Sequence, residues 1–386
     1  MSPRILFSSE TFWPAIGGLE VLAAEFIQAL RDRGHEVEVI SCTPGGELGS
    51  EYGGITVHRS TMLAALADRD LERVGLALRQ AREVVRALQP QVVHVNGVYS
   101  AAALHRALAR EASCPLLVSL HNAPWGHPVG ERSALLDLLA TADWVDTCSD
   151  AVLREIRRLM PSVEPRSSTI PNALPAIVRP AGPISFSPPR LLCVGRLVPH
   201  KGFDLALEAF AQVIERAPAA RLTLVGDGPV RGELERLAHS LAVRDAVEFE
   251  GWVVPAQVPD YIDRASLVLV PSRIEPFGLT ALQAAQMARP VVAACVGGLP
   301  EIVIPHETGL LVPPDDVPAL AAAILSLLER PEMARRLGAG GQRRVTTHFG
   351  WSDYVDRHVD LYQRLVSGVA AAPAAQPWGG AAAGSN

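Results

Sequence analysis

Short runs of consecutive apolar residues alternate along the chain with longer stretches whose apolar positions recur every three or four residues. The first pattern reads as strands buried on both faces, the second as amphipathic helices. RILFSS (4–9), EVEVISC (36–42), VVHVNG (92–97), PLLVSLH (115–121) and WVDTCS (144–149) are the strands of the first half. Leu19, Leu22, Ala23, Phe26, Ile27 and Leu30 mark the helix after the first strand, closed by Gly34. The alternation pauses at PNALPAIVRPAGPISFSPPR (171–190), a proline-rich stretch without periodicity that reads as a linker. It resumes with RLLCVG (190–195), RLTLVGDG (221–228), AVEFEG (246–251), SLVLVPS (266–272), PVVAACVGG (290–298) and a short strand from Gly309 to Val312. Helices are expected over 203–214 and 317–328, and a terminal amphipathic helix over 351–366. The pattern predicts two doubly wound α/β domains with parallel sheets, facing each other across a cleft. The expected division is 1–175, 176–350, a helix 351–367 returning to the first domain, and a low-complexity, disordered tail 368–386.

Bulk properties narrow the partners. The 386 residues are enough for two or three domains. A formal net charge of -6 supplies no broad basic field, so nucleic acid is not an expected partner and any bound anion needs a local constellation. None of the five cysteines sits in a C-x-x-C pair, which favours free thiols in a reducing compartment over a zinc site. The N-terminal stretch lacks the apolar core of a signal peptide, and no apolar run is long enough to span a bilayer. The expected location is the cytoplasm, a reading compatible with peripheral membrane contact.

Ligands of such sheets bind beyond the carboxyl ends of the strands, so the strand-to-helix turns carry the candidate chemistry. In LLCVGRLVPHKGFD a strand ends at Gly195, Arg196 follows at once, and Lys201 stands five residues later before a helix. Two cations and a helix N-terminus there make a site for paired phosphates, although each alone is as readily a solvated surface charge. The glycines of VGDGP (225–229) permit close approach to a ligand, or simply a tight turn. In EPFGLTALQ, Glu275 lies between a strand and a helix, and the amides of Phe277, Gly278 and Leu279 are placed to face an anion. A carboxylate beside an anion site is repelled unless it serves another part of the ligand, and sugar hydroxyls are natural partners. Gln283 falls one turn past Leu279, in reach of a polar ligand or in solvent. In WPAIGGLE, Gly17 and Gly18 open the first helix with Glu20 in its first turn, a second backbone anion site without a G-x-G-x-x-G pattern. His121, at the end of PLLVSLH and before Asn122, is a candidate for ligand contact or proton handling, or a structural histidine.

Taken in order, WPAIGGLE, VVHVNG, VSLHN, PNALP, GRLVPHKG, VGDGP, EPFGLTALQ and VGGLPEIV with HETGLLVPPDD resemble the retaining glycosyltransferases of family four, with the GT-B architecture, over about residues 4–366. The resemblance implies a nucleotide-activated sugar in the second domain and an acceptor in the first. It implies that Arg196 and Lys201 neutralise a diphosphate, that Gly17 approaches it by backbone, and that His121 touches the donor sugar. It further implies that Glu275 binds sugar hydroxyls, with Asn172 in a hinge segment and Gly297 and Gly298 in a glycine turn near the sugar. Two positions depart from the family pattern. Gln283 stands where a second glutamate often grips the ribose, which implies weaker ribose binding or an altered nucleotide preference. Asn96 stands where a second histidine is frequent.

The implied reaction moves a hexose-type sugar from a nucleoside diphosphate, with UDP-glucose or UDP-N-acetylglucosamine expected, to an acceptor hydroxyl on a lipid, a saccharide or a small metabolite. Arg196, Lys201 and the helix N-terminus would stabilise the charge growing on the departing phosphate, so no metal or other cofactor is expected. Without an obvious enzyme nucleophile, front-face attack assisted by the leaving group is the expected route to retention. Trp125, in the loop 121–133, is a candidate for stacking on an acceptor ring. The alternatives are a sugar-nucleotide epimerase and a non-catalytic module that binds sugar nucleotides.

Overall fold

A computed structural model describes residues 2–13, 17–42, 51–97, 102–122, 129–177 and 181–368. Trp125 and the tail from 369 lie outside the described residues. The chain forms two compact units: one runs to Pro171 and resumes at Ser352, and the other is Asn172–Trp351.

The first unit is built on eight strands: β1 (Ile5–Ser9), β2 (Val37–Ser41), β3 (Glu51–Tyr52), β4 (Ile55–Arg59), β5 (Val92–Asn96), β6 (Leu116–Leu120), β7 (Trp144–Thr147) and β8 (Ser167–Thr169). Their order is β3-β4-β2-β1-β5-β6-β7-β8, parallel except for the antiparallel β3–β4 pair at one edge. Every residue of β1, β5, β6 and β7 is buried, as expected of a parallel sheet covered on both faces. The helix Gly18–Asp32 turns Leu22, Ala23, Phe26, Ile27 and Leu30 inward, the spacing its sequence predicts. Strand order reverses between β1 and β5, so the crevice of this sheet opens beyond their carboxyl ends.

The terminal helix Trp351–Ser367 packs into this unit through a buried polar network. The Tyr362 hydroxyl lies 2.6 Å from His94 Nδ1, and His94 Nε2 lies 2.6 Å from Ser119 Oγ, which donates to Asp146. Because Ser119 spends its proton on Asp146, His94 carries its own proton on Nε2 and accepts from Tyr362. His358 Nε2 lies 3.6 Å from the other Asp146 oxygen, close enough for attraction but too far for a direct hydrogen bond. Burial pushes the Asp146 carboxyl up, but His358, His94 and Ser119 outweigh it and hold the group below its ordinary value. Burial drives His94 the other way, down to about 3, so it is neutral.

The second unit has six parallel strands: β9 (Arg190–Val194), β10 (Arg221–Val225), β11 (Val247–Gly251), β12 (Leu267–Val270), β13 (Val291–Ala294) and β14 (Gly309–Val312). Their order is β11-β10-β9-β12-β13-β14, which reverses between β9 and β12. Leu191, Leu222, Leu267 and Val292 of the sheet pack with Phe203, Phe210 and Val213 of the helix Phe203–Arg216 and with Leu320, Ile324 and Leu327 of the helix Val317–Leu328. Each such buried side chain contributes roughly 1.5–3 kcal/mol. The predicted linker is only partly a linker: Asn172, Ala173 and Leu174 are buried, and Gln286 Nε2 donates to the carbonyls of Leu174 and Pro175. Arg289, 1% exposed, ties Gly182 to this unit by donating to its carbonyl and to Asp263.

All five cysteines are free; Cys42, Cys148 and Cys193 are buried, whereas Cys295 is exposed rather than buried. Among the described residues, no helix is long and apolar enough to cross a membrane.

Candidate functional site

The helices differ in how they begin. Asp70, Ser149 and Asp316 cap their helices by accepting from backbone amides. The helices after β1, β9 and β12 begin instead behind Gly17, Gly202 and Gly278, with no side-chain cap. The Asp204 carboxylate accepts from the Asp204 and Leu205 amides behind Gly202, whereas the first amides behind Gly278 are left for another acceptor at the strand end where that sheet reverses.

In the second unit this reversal brings the two predicted turns together. Lys201 follows β9 and Glu275 follows β12, and Lys201 Nζ lies 2.7 Å from Glu275 Oε2. Ser272 Oγ donates to the same oxygen at 3.1 Å. Glu275 is only 8% exposed, so a paired and hydrogen-bonded carboxylate is held in position rather than solvated. Its backbone is fixed as well: the Gly298 amide donates to the Glu275 carbonyl at 3.0 Å. Gly297 permits this approach, since a Cβ there would sit 1.9 Å from that carbonyl oxygen, and its φ is +53°. Thr280 Oγ1, in the helix Leu279–Gln286, donates to the Val194 carbonyl and joins that helix to the end of β9.

Arg196 is exposed and has no ion pair among the described residues, so its charge is available. His200 reports that the charges converge. Partial burial lowers its pKa, the Lys201 and Arg196 cations lower it further, and Glu275 opposes them. Ser272 and His200 escaped sequence reasoning. The signal for His200 was its place between two candidate cations; Ser272 stands only three residues before Glu275, and a serine at the end of a strand gives no sign of which way its hydroxyl turns.

The remaining predicted residues fall as follows. Gly195 follows β9 directly, and its amide donates to the Val225 carbonyl of β10. A Cβ on Gly226 would sit 1.9 Å from the Gly195 carbonyl oxygen, so what the glycine of VGDGP admits is the neighbouring turn's backbone. Phe277 is buried against Phe349, leaving only its backbone for a ligand. Gly278 and Leu279 begin the uncapped helix. Gln283 is half-buried on that helix, and its side chain makes no hydrogen bond among the described residues.

In the first unit Gly17 precedes the helix that Gly18 begins, after β1. The Glu20 carboxylate folds back over this terminus: it accepts from Thr11 Oγ1, and a Cβ on Gly17 would meet it at 2.5 Å. An arriving anion has to displace that carboxylate. His121, 8% exposed just after β6, donates from Nε2 to Asn96 Oδ1 at 2.8 Å. Asn96, one of the two departures from the family pattern, thus orients the histidine it lies beside. The nearby buried Asn96 Nδ2 has no hydrogen-bond partner among the described residues.

Comparison with known proteins agrees with this architecture. Residues 16–176 match the model described as Glycosyltransferase Family 4, and residues 178–344 the model described as Glycosyl transferases group 1. Glycogen synthase of Mycobacterium tuberculosis is 30% identical over 391 residues, covering 93% of this chain and 94% of its own. D-inositol 3-phosphate glycosyltransferase of Kineococcus radiotolerans is 29% identical, covering 94% of this chain and 93% of its own. The crystal structure of HepE from Anabaena, in complex with UDP and glucose, superposes with a TM-score of 0.79 at 21% identity, covering 94% of this chain and all of that one. With both halves matched in sequence and the two parallel sheets matched in fold, the chain belongs to glycosyltransferase family 4 and is a glycosyltransferase of the GT-B architecture.

Proposed function

We propose that the enzyme transfers a hexose-type sugar from UDP-glucose or UDP-N-acetylglucosamine to an acceptor hydroxyl, with retention at the anomeric carbon and without a metal. One observation carries the donor side: the Lys201–Glu275 pair at the β9/β12 reversal, with the unpaired Arg196 close enough for both cations to act on His200. Departure of a nucleoside diphosphate places new negative charge on the phosphate oxygen that leaves. Arg196, Lys201 and the uncapped amides behind Gly278 stabilise that charge without reorganising. Glu275 accepts from hydroxyls of the transferred sugar, and Lys201 and Ser272 keep it in place until the donor arrives. The Gln283 amide accepts from one ribose hydroxyl and donates to the other. The uridine reading is supported by HepE, which was solved with UDP and glucose. The acceptor is a lipid, a saccharide or a small metabolite such as a cyclitol, the last two being classes that the relatives' names carry.

Thermal-shift measurements over UDP, GDP, ADP and their sugars test the nucleotide, because a ligand that binds the folded state raises the melting temperature by mass action. Stabilisation by UDP and its sugars above the others is expected; preferential stabilisation by GDP would overturn the uridine assignment. Incubating the preferred donor without acceptor tests the reaction class, since a new sugar isomer would make the enzyme an epimerase. Turnover that collapses in EDTA would overturn the metal-free reading.

A further inference from the structure

A cleft of about 470 Å³ lies in the first unit, formed by β7, β8 and the terminal helix rather than by the turns after β1, β6, β9 and β12. Its walls include Trp144, Ser168, Arg357, Asp360 and Arg364. Arg364 makes no side-chain hydrogen bond or ion pair among the described residues, and its Nε is a buried donor without a partner. Among the described residues Arg357 has one hydrogen-bond acceptor, the Thr169 carbonyl at 2.8 Å, and no carboxylate within ion-pair distance. Burial disfavours the charge on Arg357; Asp353, Asp146 and Asp150 oppose this in part, and the Arg364 guanidinium adds a weaker repulsion. A buried guanidinium donor left unsatisfied, as at Arg364 Nε, is costly unless an acceptor completes it. Trp144 Nε1 donates to Ser168 Oγ at 3.0 Å, which leaves the serine hydroxyl proton for another acceptor. Asp360 contributes one negative charge against two positive ones, so the cleft suits a phosphate that carries a neighbouring hydroxyl.

We propose that this cleft is a second anion site, in which Arg357, Arg364 and the Ser168 hydroxyl bind a phosphate ester and Asp360 accepts from an adjacent hydroxyl of the same molecule. Its volume falls in the range of small-ligand pockets, and guanidinium forks match phosphate geometry. The ester is either a soluble sugar or polyol phosphate or the headgroup of a phospholipid, which share this chemistry.

Calorimetric titration with glycerol 3-phosphate tests it in full-length protein carrying Arg196→Ala and Lys201→Ala, which removes the donor-site cations. Saturable binding of one molecule is expected, weakened about tenfold by Arg364→Gln, the scale of one lost charge-assisted hydrogen bond. Arg364→Lys, which keeps the charge and loses the fork, should fall between the two, and serves if the glutamine variant does not fold. Sedimentation with phosphatidylglycerol vesicles but not phosphatidylcholine vesicles, lost in Arg364→Gln, would assign the headgroup. No sedimentation alongside binding of the soluble ester would assign a metabolite. Absence of saturable binding, or binding indifferent to both Arg364 substitutions, overturns the site.

Discussion

At the residue scale, the Glu275 carboxylate is held by two donors and little water, so its substitutions separate chemistry from binding. Glu275→Gln keeps the size and loses the charge, leaving Lys201 unpaired. Turnover should fall by about 10²–10³, as when one preorganised group is removed from a reacting centre, while UDP affinity changes less than about tenfold. Steady-state kinetics beside UDP titration checks this; an equal loss in both would make Glu275 a nucleotide anchor only. Gln283 offers the converse test. If its side chain meets the ribose, Gln283→Glu supplies a charged acceptor and should lower the donor KM by about three- to tenfold with kcat little changed. An unchanged KM would place residue 283 outside the ribose site.

At the scale of elements, the turns after β9, β12 and β13 are locked together by backbone, and side-chain variation cannot relax them. Gly297→Ala puts a methyl group 1.9 Å from the Glu275 carbonyl in a left-handed conformation. It should cost roughly 3 kcal/mol or more and lower the urea midpoint, with activity lost in the molecules that still fold. The terminal helix is likewise a structural member of the first unit. Removing Tyr362 and His358 strips partners from His94 and Asp146 inside a sheet where water cannot replace them. Truncation after Trp351 should therefore abolish the cooperative melt of the first unit, whereas Tyr362→Phe, which deletes one hydrogen bond, should cost about 1–3 kcal/mol. A truncated chain that melts like the intact one would overturn this role.

At the scale of the whole molecule, buried neutral histidines couple stability to pH. Burial lowers His94 to about 3 and His105 to about 4, against 6.5 in the unfolded chain. The unfolded state then binds more protons, so stability rises with pH. The contribution is complete above about pH 6.5 and is lost as pH falls toward the folded values, at up to about 1.4 kcal/mol per pH unit for each histidine. Asp146, with its depressed pKa, adds a loss of the same sign at still lower pH. Urea unfolding at about pH 7.5 and about pH 5 checks the slope, and His105→Gln should flatten it. Parallel pH profiles for the two proteins would exclude the buried-histidine account.

Much of this molecule was legible in residue order. Apolar runs set the central strands, and three- and four-residue spacing set the helices, because burial on both faces or along one stripe is a local requirement written into consecutive positions. Arg196, Lys201, Glu275, His121 and the glycine-capped helices were visible for the same reason: each stands where a strand gives way to a helix. The edge pair β3–β4, the short β8 and the burial of Asn172–Leu174 were not, since none has enough periodicity to declare itself.

What tertiary structure alone decided is which turns meet. Strand order reverses between β9 and β12, and only that crossing sets Lys201 against Glu275, 74 positions away from it in the chain. It also decided that the VGDGP glycines serve a neighbouring turn, and that Tyr362 completes a histidine 268 positions earlier. Local sequence encodes the propensity of each segment, but a hydrogen bond between distant segments depends on the order in which strands pack. That order follows from the burial of the whole sheet.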